Sequence, residues 1–136
     1  MKRYDELVSE FMQTEFVTLR PSDRLDFADD VMKLGRIRHM PVVEGNRVVG
    51  VVSQRDLLAA SLSRVMEIDP RDHRSFLRLV EISEVMSDQV ITIESTRTIR
   101  EAAELMIRHK IGCLPVVDSL GTPVGLITET DLLRAV

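Results

Sequence analysis

Two short segments of the chain pair a hydroxyl residue with an aspartate three positions later: Ser53 with Asp56, and Thr128 with Asp131. Each pair follows an apolar, largely β-branched run, so we expect the aspartate in the first turn of a helix that begins where a strand ends. A carboxylate there can accept both hydrogen bonds of a ribose diol, and the free N–H groups of the helix start attract phosphate. The alternative interpretation is a capping box, in which the carboxylate turns back to the backbone and binds no ligand.

The two pairs belong to an internal repeat. An offset of 74 residues places Met12 on Met86 and Pro41 on Pro115, and after one extra residue in the second turn an offset of 75 places Asp56 on Asp131. Two copies are too few for a solenoid, so we expect two halves packed face to face about a pseudo-two-fold axis.

Each copy is predicted to fold as strand, helix, strand, strand and helix, which makes the chain an α+β protein. The predicted elements are strands at 16–19 and 90–93, helices with apolar stripes that include Leu25, Ala28 and Met32 or Ile99, Ala102 and Met106, hairpins over 40–52 and 114–127, and helices after Asp56 and Asp131. Thr98 and Glu101 predict a capping box at the start of one helix. The predicted boundaries are residues 8–62 for the first repeat, 63–82 for a connector and 83–136 for the second repeat.

The connector is predicted to be helical. Residues 61–66 can prolong the preceding helix, Asp69-Pro70 is typical of a helix start, and Phe76, Leu77 and Val80 form a short apolar face. We expect this segment to pack on the flank of the repeats. A surface for a partner or a second copy, using Leu62, Val65 and Met66, is the alternative.

Composition restricts the class of protein. The chain has 136 residues, 44% of them apolar, a net charge of −4 and one cysteine, Cys113. It is long enough to bury a core, it cannot form an internal disulfide, and its charge disfavours nucleic acid as a partner. We expect neither a membrane span nor a signal peptide, and therefore a cytoplasmic protein.

Segments 50–56 and 125–131 share one pattern: a glycine, two apolar residues, a hydroxyl residue and, three positions later, an aspartate. This pattern resembles the signature of tandem CBS domains, also called a Bateman module. Segments 37–43 and 111–117 match its second pattern, which leads through a proline into the middle strand. The resemblance implies a pair of β-α-β-β-α CBS repeats forming one module, with an adenosyl ligand in the cleft between them. AMP, ADP and ATP are the first candidates, and NAD and S-adenosylmethionine are further ones.

The nucleotide-binding residues that the resemblance and this chemistry together indicate fall into two half-sites. They are Thr18, Ile37, Arg38, His39, Met40, Pro41, Ser53, Arg55 and Asp56 in the first copy, and Thr92, Ile111, Gly112, Cys113, Leu114, Pro115, Thr128 and Asp131 in the second.

The two half-sites differ in charge. Some nucleotide-binding CBS domains have a basic residue near the phosphate, two positions before the proline. This sequence has His39 there in the first copy and Cys113 in the second, and Arg55 likewise corresponds to Thr130, so we expect phosphate at the strand-to-helix corner of the first copy. An imidazole satisfied at the surface is the alternative interpretation of His39.

Catalytic motifs are missing from the sequence: it has no phosphate-binding Walker loop, no dinucleotide-binding glycine run, no nucleophile elbow and no zinc-ligand spacing. We therefore do not expect an enzyme. The resemblance to CBS domains implies a regulatory sensor, and we expect one without a cofactor or metal, which forms a homodimer and passes its signal to a separate protein. A ligand-free structural or interaction protein that acts through dimerisation is the alternative.

Overall fold

The computed structural model describes residues 3–62 and 73–135, and the chain divides into two compact units. The first-repeat unit contains Val17–Gly45 and Val49–Val90. The second-repeat unit contains the chain up to Phe16, Asn46–Val48, and the chain from Ile91 onwards. Each unit therefore combines one repeat with the segment that precedes the other repeat in the sequence.

Five α-helices and five strands are found in the described residues. In chain order they are α1 (Leu25–Gly35), β1 (His39–Glu44), β2 (Arg47–Ser53), α2 (Gln54–Leu62), α3 (His73–Leu79), β3 (Ile93–Glu94), α4 (Ile99–His109), β4 (Cys113–Val117), β5 (Pro123–Thr128) and α5 (Glu129–Arg134), with short 3-10 turns at Arg3–Asp5, Val8–Glu10 and Ile82–Glu84. None of the helices described is both long and apolar enough to cross a membrane.

Strands β3, β4 and β5 form the sheet of the second repeat. Strand β3 pairs with β4 in parallel, and β4 pairs with β5 antiparallel, with Leu114 opposite Ile127 and Val116 opposite Gly125. Strands β1 and β2 form the corresponding hairpin of the first repeat. A hairpin that runs directly into a helix places the end of its second strand beside the start of its first, which creates the strand-to-helix corners of interest here.

The helical spacing of apolar residues explains the two cores. Leu25, Ala28 and Met32 lie on one face of α1 and are buried with Met40 and Val42 of β1. In the second-repeat unit the same places are taken by Ile99, Ala102, Met106, Leu114 and Val116. The predicted capping box of Thr98 and Glu101 is confirmed at the start of α4, whereas Arg24 before α1 makes no side-chain cap.

The leading segment of each repeat is the stretch before its first strand, residues 3–16 in the first repeat and 82–90 in the second. Each leading segment forms an antiparallel backbone pair with a hairpin strand. Gln13 exchanges two hydrogen bonds with Leu126 of β5, at 2.7 and 3.0 Å. In the first-repeat unit Ser87 exchanges two with Val51 of β2, at 3.0 and 3.1 Å. The backbone therefore crosses directly above a glycine of each hairpin strand, at Gly125 and Gly50.

The described part of the connector packs on the flank of the first-repeat unit, as expected. Arg74 of α3 forms a two-pronged ion pair with Asp30 of α1, with both N–O distances at 2.7 Å. Hydrogen bonding to this guanidinium lowers the pKa of the Asp30 carboxyl below its ordinary value. Leu77 is buried in the same core, and Phe76 and Val80 pack against it. The predicted helix start at Asp69-Pro70, the predicted continuation of α2 beyond Leu62, and Val65 and Met66 lie outside the described residues.

The first predicted strand of each repeat is shorter than its β-branched run suggests. In residues 16–19 only Leu19 makes a bridge, to Val42, and β3 contains two residues. Val17 and Thr18 are exposed, so their β-propensity is not supported by burial.

The crossing of the leading segments predicts that Gly125→Ala and Gly50→Ala destabilise the protein. A Cβ at Gly125 would lie 2.9 Å from the carbonyl oxygen of Gln13, and one at Gly50 would lie 2.9 Å from that of Ser87. Overpacking of this kind costs about 1–3 kcal/mol in the free energy of unfolding, which denaturant titration measures. Gly35→Ala is the control because its Cβ would meet only Ile37, at 3.7 Å. Wild-type stability in Gly125→Ala would contradict this account of the crossing.

Candidate functional site

The first strand-to-helix corner lies where β2 ends at Ser53 and α2 begins. The Ser53 N–H donates to Oδ2 of Asp56 at 2.8 Å, and the Asp56 N–H donates to Oγ of Ser53 at 3.1 Å. The Gln54 N–H donates to the Arg38 carbonyl at 2.8 Å. Since Arg38 immediately precedes β1, this bond brings residues 37–41, all of them in the predicted nucleotide-binding set, to the same corner as Asp56.

The second corner repeats this arrangement at the end of β5. The Thr128 N–H donates to Oδ2 of Asp131 at 2.9 Å, and the Asp131 N–H donates to Oγ1 of Thr128 at 3.4 Å. The Glu129 N–H donates to the Gly112 carbonyl at 3.1 Å, and Cys113 is the sheet partner of Thr128. Both corners therefore contain the capping box that was the alternative interpretation of the sequence pattern.

Capping leaves the two carboxylates in different states. Oδ1 of Asp56 accepts no hydrogen bond from any described residue, and the side chain is half-buried. Asp131 is 1% exposed, and both of its oxygens lie near other donors. Nε2 of Gln13 lies 3.4 Å from Oδ1 and 3.2 Å from Oδ2, and Nη1 of Arg134 lies 3.6 Å from Oδ1.

Gln13 is a site residue that sequence reasoning missed. It lies 118 residues before Asp131, in a segment that was assigned to the first repeat. The signal that can reveal it is the repeat itself, because the 74-residue offset places Gln13 on Ser87. The two leading segments thus differ in a side chain at the position where each pairs with its hairpin.

The remaining predicted residues divide by exposure. The buried residues are Met40, Pro41, Cys113, Leu114 and Pro115; the half-buried residues are Ile37, His39, Thr92, Ile111 and Gly112; the exposed residues are Thr18, Arg38 and Arg55. Met40 and Leu114 belong to the two hydrophobic cores, so these positions can meet a ligand only through their backbone. That is the mode expected for the edge of an adenine ring.

Two exposed cations accompany the first corner. Arg38 and Arg55 form no ion pair with the residues that the structure describes, and His39 is half-buried at the start of β1. The guanidinium of Arg55 is adjacent in sequence to Asp56, at the start of a nine-residue helix whose dipole also favours an anion. The first corner therefore combines a partly open carboxylate with positive charge.

A groove of about 680 Å³ lies elsewhere in the second-repeat unit. It runs along α4 to the turn between β4 and β5, and its charged lining residues are Glu94, Arg97, Glu101, Glu104, Arg108 and Asp118. Thr92 is the one predicted binding residue that lines it. The groove is therefore separate from the corner that contains Thr128 and Asp131.

The thiol of Cys113 is suited to packing. Cys113 is buried at the start of β4, and burial together with the nearby charge of Asp131 raises the pKa of the thiol to about 12. A thiol of this kind is neither a nucleophile nor a ready metal ligand at neutral pH.

Comparison with known proteins shows which family this chain resembles. The family model of the CBS domain matches residues 8–63 and 82–136. A CBS domain-containing protein of Dictyostelium discoideum is 33% identical over 128 residues, which are 93% of this chain and 88% of that protein. The resemblance found in the sequence is therefore confirmed.

Solved structures and longer relatives extend this result. The crystal structure of CBSX2 in complex with AMP matches with a TM-score of 0.76 and 26% identity, covering 95% of this chain and 94% of that one. This match confirms the α+β fold class. An inosine-5'-monophosphate dehydrogenase of Korarchaeum cryptofilum is 29% identical over 122 residues, which are 90% of this chain but 22% of the enzyme. The chain thus spans most of one relative and about a fifth of another.

The burial of Cys113 predicts a slow reaction with iodoacetamide. At pH 8 the folded thiol is ionised roughly 1,000-fold less than a thiol of ordinary pKa, so the native chain should be alkylated far more slowly than the denatured chain. The rate should level off near pH 9 in the denatured chain and keep rising above it in the native chain. Mass spectrometry over time gives both rates, with Cys113→Ser as the blank. Equal rates at pH 8 would show that the thiol is accessible.

Proposed function

The chain belongs to the CBS domain family, and on that premise we propose that it is a regulatory module that binds an adenosyl ligand at the corner of the first-repeat unit. The observation that carries this proposal is the carboxylate of Asp56, which retains an oxygen without a partner among the described residues. A forked acceptor at a half-buried position suits the two hydroxyl groups of a ribose. The same corner of the second-repeat unit offers no such acceptor.

The surroundings of Asp56 suit the other parts of the ligand. Arg55 and His39 supply cationic or hydrogen-bonding groups for a phosphate, next to the N-terminus of α2. The backbone of residues 37–41 is tied to the corner by the bond from Gln54 to Arg38, and the N–H and carbonyl groups of this segment that stay available suit an adenine edge. These groups recognise a bound molecule and include no arrangement of nucleophile and base, so the role we propose is sensing and not catalysis.

AMP is the first candidate ligand. The CBSX2 structure, which matches nearly the whole of this chain, is a complex with AMP. ADP, ATP, NAD and S-adenosylmethionine contain the same adenosine portion, so the proposed corner does not by itself distinguish them. We place the protein in the cytoplasm, where adenine nucleotides are abundant and the single thiol stays reduced.

We also propose that two copies of the chain associate through their helices. Phe27 and Leu34, spaced along one face of α1, are 47% and 87% exposed, and Leu58, Leu62 and Leu133 on α2 and α5 are exposed as well. Apolar side chains repeated along helices favour an isologous interface with a second copy. Such a dimer would present the regulated partner with two identical surfaces.

Replacement of the two aspartates tests the ligand proposal. Asp56→Asn keeps an oxygen for the Ser53 N–H but removes the charge, and it should weaken AMP binding by roughly 1.5–3 kcal/mol, whereas Asp131→Asn should cost less. Titration calorimetry with AMP and with adenosine measures both effects. If Arg55 and His39 contact the phosphate, adenosine should show a smaller difference between the variants than AMP does.

A thermal-shift screen with the five adenosyl ligands accompanies this test, because a ligand that binds only the native state raises its stability. Equal losses in both aspartate variants with both ligands would contradict the assignment of the first corner. No stabilisation by any of the five ligands would favour the alternative, an interaction module that has lost ligand binding.

The dimer proposal predicts a specific effect of charge at α1. Leu34→Glu should convert the dimer to a monomer in sedimentation at about 20–50 μM protein, because a carboxylate would be buried at the interface. Leu120→Glu is the matched control, since Leu120 is 88% exposed but lies in the turn between β4 and β5. A monomeric wild-type chain, or the same effect from both variants, would exclude this interface.

A further inference from the structure

We propose that Gln13 restricts adenosyl binding to one corner of the chain, by occupying the carboxylate of Asp131 in place of a ribose. This inference rests on the proposed function, since it concerns which of the two corners takes the ligand. Gln13 lies outside the CBS signature segments, and the role assigned to it is to determine which corner binds the ligand.

The contacts of Asp131 show how the carboxylate is occupied. Oδ2 accepts from the backbone N–H and the hydroxyl of Thr128 at 2.9 and 3.0 Å, and the Gln13 amide nitrogen lies 3.2 Å away. Oδ1 has the same amide nitrogen at 3.4 Å and Nη1 of Arg134 at 3.6 Å. The amide nitrogen of Gln13, which carries two hydrogens, thus faces both carboxylate oxygens of Asp131. These are the two acceptors that the hydroxyl groups of a ribose would need.

The backbone holds Gln13 in this position. Its N–H and carbonyl pair with Leu126 at 2.7 and 3.0 Å, and Asp131 follows Leu126 by five residues across the corner. The backbone therefore holds the Gln13 side chain within reach of Asp131 before any ligand arrives. A ligand at this corner would have to displace the Gln13 amide from the Asp131 carboxylate. It would also have to reach a residue that is 1% exposed.

The first-repeat unit supplies the natural comparison. Ser87 pairs with Val51 through two backbone bonds of 3.0 and 3.1 Å, and Asp56 follows Val51 by the same five residues. The backbone geometry is thus repeated while the side chain is shorter and lacks an amide. Among the described residues only Ser53 donates to the Asp56 carboxylate, so the diol-binding face of this carboxylate stays open.

Exchanging the two side chains tests the inference. Calorimetric titration of the full chain with AMP should give one site per wild-type chain. Ser87→Gln should place an amide against Asp56 and weaken that site at least tenfold, whereas Ser87→Ala should leave it unchanged. Gln13→Ser should leave the first site unchanged and uncover Asp131, which raises the stoichiometry to two per chain.

The outcomes separate this inference from the proposed function. If the wild type binds none of the five adenosyl ligands, the proposed function is overturned and the inference with it. If it binds another of the five and not AMP, the same titrations are made with that ligand. Two sites in the wild type, one site in Gln13→Ser, or wild-type affinity in Ser87→Gln would overturn the role of Gln13 while leaving adenosyl binding in place. Denaturant titration of each variant shows that the chain is folded, so that a lost site is not the result of unfolding.

Discussion

The antiparallel backbone pairs made by the leading segments are the interaction on which the rest of the structure depends. Gln13 with Leu126 and Ser87 with Val51 attach each leading segment to a hairpin strand of its unit. The pairs explain the glycine of the signature segments, because the crossing backbone leaves no room for a Cβ at Gly50 or Gly125. In the second-repeat unit the pair also brings the Gln13 side chain to Asp131, in the first turn of α5. The backbone pair that attaches Gln13 to the sheet therefore also places its amide beside the carboxylate that we propose it blocks.

In each corner the aspartate that caps the helix is also the carboxylate that a ribose would meet. In both corners one oxygen of the aspartate accepts the N–H of the preceding hydroxyl residue, which holds the first turn of the helix in place. What differs is the second oxygen, which depends on a residue far away in the sequence. The capping box is thus compatible with ligand binding at Asp56, since it fixes the orientation of the carboxylate that the ligand would meet.

The sequence was sufficient to predict features that depend on local pattern. The two hairpins, the corners at Ser53 and Thr128 and the capping box of Thr98 with Glu101 follow from short-range spacing, and the repeat removes ambiguity because each pattern occurs twice. The strand expected at 16–19 was longer than the one formed, because β-branched residues there lack the burial that makes a strand favourable. The sequence did not predict that the leading segment of each repeat packs with the other repeat. Periodicity identifies helices and strands, but it does not show which repeat a segment packs on. Gln13 was missed for the same reason, as its partner lies in the other half of the chain.

The composition of the units also sets the order in which the chain can fold as it leaves the ribosome. All residues of the first-repeat unit have been synthesised once Val90 has emerged, but Val8, Phe11 and Met12 pack against residues that come later. At about 5–20 residues per second the leading segment waits roughly 6–25 seconds for its partner. During that time its apolar side chains are without their native core, so this segment reaches its final environment only after the residues from Ile91 onwards have been made. The acidic Asp5, Glu6 and Glu10 around Val8 give this waiting segment negative charge, which opposes its aggregation.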